Sequence, residues 1–112
     1  MASYAEIPDK REIRVEDIRR LLQACVDHGE VHVVLTEEGY TIYHHDRIAS
    51  IGKKVEMPIA QLRPMDGMFQ ILWRRGSGRW WPYHDGEERF FIAAFERCID
   101  EITKDPWGCF WG

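Results

Sequence analysis

The sequence predicts an α+β domain: a helix, about five mostly antiparallel strands, and a C-terminal helix, with both helices on one sheet face. Three observations predict it. Apolar residues recur at helical spacing near each end, period-two alternation runs through the middle, and the middle connections are short. Short connections cannot carry parallel crossovers, so the strands are antiparallel. Each helix has a single apolar stripe, which one sheet face can cover.

A chain of 112 residues has room for one domain, 1–112. With 45% apolar and 12% aromatic residues it can build a core without staples. Residues 1–8 read as a flexible lead-in ending at Pro8. A helix follows, with Asp9 and Glu12 as a capping box and Gly29 as the C-terminal cap. Val15, Ile18, Leu21, Leu22, Cys25 and Val26 form its apolar stripe, while Arg14, Glu16, Asp17, Arg19, Arg20 and Gln23 take the other face.

Val31–Leu35 and Tyr40–His45 are β-rich and flank a tight turn at Glu38-Gly39. Residues 46–54 read as a loop with a short extended piece around Ile48–Ile51. Val55–Leu62 reads as a strand that Pro58 assigns to an edge, and Pro64–Gly67 as a turn. Met68–His84 is the clearest hairpin. A three-residue loop, Gly76-Ser77-Gly78 with Gly78 left-handed, sets Trp73 opposite Trp81 and Ile71 opposite Tyr83. Gln70, Leu72, Arg74, Trp80, Pro82 and His84 then share the other face. Asp85 with Glu88 makes a capping box for the last helix, in which Phe91, Phe95, Cys98 and Ile102 form the stripe. Asp105-Pro106 stops it, and residues 105–112 form an aromatic tail.

The Trp-rich hairpin (Phe69-Gln70-Ile71-Leu72-Trp73, then Arg79-Trp80-Trp81-Pro82-Tyr83), the helix behind it and the tail Asp105-Pro106-Trp107-Gly108-Cys109-Phe110-Trp111-Gly112 carry a resemblance. From about Val55 to Gly112 the chain resembles a family of small uncharacterised bacterial proteins, a domain of unknown function. The resemblance implies a compact domain of bacterial source, and it assigns no catalytic residue.

Four groups of residues are weighed for function. His44, His45 and His84, with Asp46 or Asp85, would make a two-histidine, one-carboxylate metal site if the sheet brought them together. Adjacent strand residues point to opposite faces, however, and strand-end histidines beside a helix cap account for the same residues. Cys98 reads as core, and Cys109 as an exposed thiol without a histidine fixed beside it. Arg74, Arg75, Arg79 and Trp80 around the hairpin tip suit single-stranded nucleic acid, but the net charge of −4 favours ordinary cation–π packing. The tail residues Trp107, Phe110 and Trp111 read as folded back over the sheet, or as a docking contact.

The three cysteines lack zinc or disulfide spacing, and neither a signal peptide nor a membrane-length apolar run is visible, so a cytoplasmic protein is expected. No cofactor motif is present. The expectation is a non-enzymatic module that binds a protein partner or a second copy through Leu72, Arg74, Arg79, Trp80, Trp107, Phe110 and Trp111. The alternative is a small metal-dependent or hydrolytic enzyme.

Overall fold

A computed structural model of the chain describes residues 10–48, 53–75, 78–84 and 89–111. The order is α1 (Lys10–Gln23), β1 (Glu30–Thr36), β2 (Gly39–Ile48), β3 (Lys53–Met65), β4 (Met68–Arg74), β5 (Trp80–Pro82), β6 (Ile92–Ala93) and α2 (Phe95–Lys104). The six strands form one antiparallel sheet in the order β1-β2-β3-β4-β5, with β6 pairing β4. The lead-in and the Asp9 capping box lie outside the described residues.

The turns follow from local chemistry. Glu37-Glu38 joins Thr36 to Gly39, and Asp66-Gly67 joins Met65 to Met68. Asp66 and Gly67 both have positive φ, 49° and 82°, the signature of the mirror-image turn that matches strand twist. The hairpin register is as expected, with Trp73 opposite Trp81 and the Tyr83 amide donating to the Ile71 carbonyl at 2.9 Å. The Gly78 amide donates to the Arg75 carbonyl at 2.9 Å, and Gly78 has φ +81°.

Four expectations need correction. α1 ends at Gln23 rather than running to a Gly29 cap. The Gln23 side chain instead bridges to β1, donating to the Gly29 carbonyl and accepting from the Val31 amide at 2.9 Å. β2 and β3 are longer than expected and leave only residues 49–52 between them, outside the described residues. β3 is a central strand, but β4 pairs it only from Ala60 onward. Pro58 therefore keeps a free edge on one side, next to a register shift at Ile42/Tyr43 where the ladder is already interrupted. The last correction concerns α2, which begins at Phe95. Phe91 is not helical: its carbonyl accepts from the Ile71 amide at 3.1 Å, and Ile92-Ala93 forms a sixth strand. Unpaired groups on the β4 edge capture the Phe90–Ala93 run, overriding its helical spacing. Asp85–Glu88 lie outside the described residues.

β5 and β6 thus share one edge of β4. The excursion between them is closed by a His84–Phe90 bridge and by the Phe91 amide donating to the Tyr83 carbonyl. Both helices cover the same sheet face: Ile18 and Leu22 of α1 and Cys98, Ile99 and Ile102 of α2 join Tyr40, Ile42, Leu62 and Ile71 in one core. The molecule measures 53 × 39 × 23 Å, and its thin axis is one sheet plus one helix layer. Among the described residues no helix is long and apolar enough to cross a membrane.

Candidate functional site

The sheet face away from the helices is the surface the fold leaves open. Strand alternation places Gln70, Leu72 and Arg74 of β4 there, beside Trp80 and Pro82 of β5. Returning along the same edge, Ile92 pairs with Gln70, and Phe90 bridges to His84 with the rings 5.1 Å apart. Leu72 is buried beneath its neighbours, while Phe90 is 55% and Ile92 40% exposed. An apolar strip therefore runs along the β4–β5–β6 edge. Elsewhere the face mixes polar pairs with the exposed Val34, Met65 and Met68. Gln61 donates to the Thr41 hydroxyl at 3.1 Å, Arg63 donates to Gln61 at 2.8 Å, and Arg63 pairs with Glu38 at 3.7 Å.

At the hairpin tip the arginines lie on tryptophan rings. Arg74 stands 5.5 Å from the Trp80 centroid, and Arg75 stands 5.6 Å from Trp73 and 5.1 Å from Trp81. Arg79 is exposed. Each hairpin tryptophan thus presents one ring face to an arginine of the same hairpin, which is the ordinary packing the charge balance favours. Gly76 and Ser77 lie outside the described residues.

The histidines do not converge. His44 lines a cleft of about 540 Å³ with Cys25, His28, Asp46, Cys109 and Trp111. Its Nε2 donates to the His28 carbonyl at 2.7 Å. His45 points to the other face, where its ring lies 4.9 Å from His32. His84 follows β5, three strand intervals from β2, roughly 14 Å across the sheet. Among the described residues no group of three or more His, Cys, Asp or Glu is arranged to hold a metal ion; Asp85 lies outside them.

The thiols are held protonated. Burial pushes Cys98 up to about 11, and its Sγ lies 3.5 Å from the carbonyls of Phe69 and Ala93. Burial also raises Cys25, an effect that a hydrogen bond with Thr103 opposes and the Asp105 charge reinforces. Cys109 is raised by burial and then by Asp105. A nucleophilic cysteine needs the opposite environment.

The tail folds back. Asp105 caps α2 in the left-handed conformation, φ 44° and ψ 56°, with its amide donating to the Glu101 carbonyl. Its carboxylate accepts from the amides of Phe110 at 3.1 Å and Trp111 at 2.9 Å. Phe110 is 5% exposed and packs on Tyr83 at 5.0 Å. The half-buried Trp111 donates its Nε1 hydrogen to the Ile102 carbonyl at 2.9 Å. Trp107 alone of the three tail aromatics stands clear, 61% exposed.

The sequence places Leu72, Arg74 and Trp80 on one face but assigns Phe90 and Ile92 to the last helix. Three consecutive apolar residues, Phe90-Phe91-Ile92, were the available signal for a strand. No curated protein and no solved structure matches the chain. A family model does, Domain of unknown function (DUF3024), over residues 6–112, and the chain belongs to that family.

Proposed function

We propose that this chain is a non-enzymatic protein-binding module whose contact surface is the apolar strip along the β4–β5–β6 edge, on the helix-free face. The observation that carries the reading is the exposure of Phe90 and Ile92, 55% and 40%, beside Trp80, Pro82 and Leu72. Large apolar side chains grouped on an uncovered sheet face mark a contact surface more often than an ordinary solvated one. Arg74 flanks the strip and the exposed Arg79 stands at the hairpin tip, so the fitting partner is a protein that offers apolar side chains with carboxylates around them. A symmetric contact with a second copy would bring these arginines toward each other, which favours a different protein. The Trp80 ring face taken by Arg74 disfavours base stacking there. Three free cysteines support a reducing cytoplasm as the setting, and the resemblance of hairpin and tail supports a bacterial one.

The test uses the full chain and a Phe90→Ser/Ile92→Ser variant as baits in source-cell extract, followed by binding of the purified partner. Both side chains are largely exposed, so the variant should melt within a few degrees of the wild type. The expected result is a stoichiometric partner whose affinity falls about tenfold or more in the variant. A partner bound equally by both proteins would sink the assignment. So would a wild-type dimer in sedimentation that the variant dissolves, or retention of a single-stranded oligonucleotide that Arg74→Ala/Arg79→Ala abolishes.

A further inference from the structure

At the end of the sheet opposite His44, the β1–β2 turn, the β3–β4 turn and α1 enclose a pocket of about 260 Å³. Its floor is aromatic: Tyr40 and Phe69 are buried, with ring centroids 6.0 Å apart. Leu35, Pro64 and Met68 complete an apolar wall. One cation enters this setting. Arg14, expected on the solvent face of α1, is half-buried, with its guanidinium 5.1 Å from the Phe69 centroid and 5.1 Å from the Phe95 centroid.

The two rings meet edge to face, 6.1 Å apart, so both lie to one side of the guanidinium, whose planar fork of N–H donors suits a planar acid. Among the described residues no carboxylate pairs with Arg14. Two acids of its own helix are engaged elsewhere, Glu16 by Arg19 at 3.0 Å and Asp17 by Arg20 at 3.1 Å. An arginine with no acid partner among the described residues, packed on two rings at the edge of an apolar pocket, is a fork that suits a carboxylate. The rim decides the charge of the ligand. Glu37 lines the same pocket and the chain carries −4 overall, so a dianion such as phosphate is disfavoured and a single negative charge is tolerated. Size decides the body. A cavity of about 150 Å³ takes benzene, so 260 Å³ has room for one ring and a short acid arm.

We propose that this pocket binds a monocarboxylate with one apolar or aromatic group, the group seated on Tyr40 and Phe69 and the carboxylate on Arg14. The pocket is independent of the β4–β5–β6 contact surface. Such chemistry is offered by a free aromatic acid or by the C-terminal residue of a peptide ending in an aromatic side chain.

The test is a titration of the full-length wild-type protein followed by amide chemical shifts. The probes are 3-phenylpropionate, its carboxamide, a tripeptide ending in phenylalanine with a free or amidated C-terminus, and inorganic phosphate. The expected result is saturable shifts at Leu35, Gly39, Gly67 and Met68 for one or both carboxylates, with the matching amide about tenfold weaker or worse. Binding by the free acid identifies a small-molecule site; binding by the peptide alone identifies a chain terminus. Arg14→Gln should remove the preference for carboxylate over carboxamide. If that variant fails to fold, the acid-against-amide comparison on the wild type still decides. No saturable shift from either carboxylate up to about 10 mM, equal binding of acid and amide, or displacement by phosphate would overturn the proposal.

Discussion

Asp105 holds a left-handed backbone, φ 44°, at a cost of about 1 kcal/mol for any residue with a Cβ. Glycine would adopt it freely but could not accept from Phe110 and Trp111. Asparagine tolerates the conformation and keeps one side-chain acceptor. Thermal midpoints should therefore fall in the order wild type, Asp105→Asn, Asp105→Gly, Asp105→Ala, the last losing about 2–4 kcal/mol. A glycine variant as stable as the wild type would show that the carboxylate contributes nothing. Cys98 carries a second prediction at this scale. Its thiol has an ordinary value of 9.0 and is raised to about 11 by burial, so the folded protein keeps a proton that the unfolded chain releases. The contribution is complete below pH 9 and is lost as pH climbs toward about 11, up to roughly 2–3 kcal/mol. Tyr83 acts in the same direction, since burial and its 2.6 Å hydrogen bond to Glu101 hold its proton well above the usual tyrosine range. Urea midpoints should drop between about pH 9 and pH 11, and Cys98→Ala should flatten part of that slope. A midpoint flat over this range would contradict the burial argument.

The hairpins test the argument at the scale of elements. Gly67 and Gly39 both have positive φ, 82° and 129°, but their surroundings differ. A Cβ on Gly67 meets nothing within 4 Å, whereas one on Gly39 would lie 2.0 Å from the Leu62 carbonyl oxygen. Gly67→Ala should cost about 1 kcal/mol, and Gly39→Ala more than about 3 kcal/mol because β2 and β3 must separate. Equal losses in denaturant midpoint would mean that backbone conformation alone sets the cost. The same contrast between local and distant causes explains what the sequence revealed. The Met68–His84 register was legible because a short Gly-containing loop and period-two alternation determine it from within one segment. The start of α2 was not, because the Phe90–Ala93 run is claimed by β4 groups some twenty residues away. That misreading also hid Phe90 and Ile92, which complete the exposed strip. Arg14 was hidden for a related reason: the rings it packs on, Phe69 of β4 and Phe95 of α2, reach it only because both helices pack on one sheet face.

At the scale of the whole molecule, a single sheet with helices on one side has a core that is open at its ends. The tail closes one of them. Phe110 sits against Tyr83, Trp111 reaches Ile102, and Asp105 holds both tail amides, so residues past α2 belong to the core although they form no regular element. Burying Phe110 contributes about 2–3 kcal/mol, and the carboxylate bonds add about 1–3 kcal/mol more. Domains of this size have only about 5–15 kcal/mol in total. A chain ending at Lys104 should therefore melt at least about 15 °C lower than the full chain, or show no cooperative transition at all. Circular dichroism reads the fold, and sedimentation equilibrium run in parallel reads association. The expected pair of results is a monomeric full chain and an unfolded or strongly destabilised truncation, which leaves the exposed Trp107 as the tail's only large surface side chain. A truncation that melts with the full chain but loses self-association would reverse the assignment. The tail would then be the contact surface, and the burial of Phe110 would be a resting position that a partner displaces.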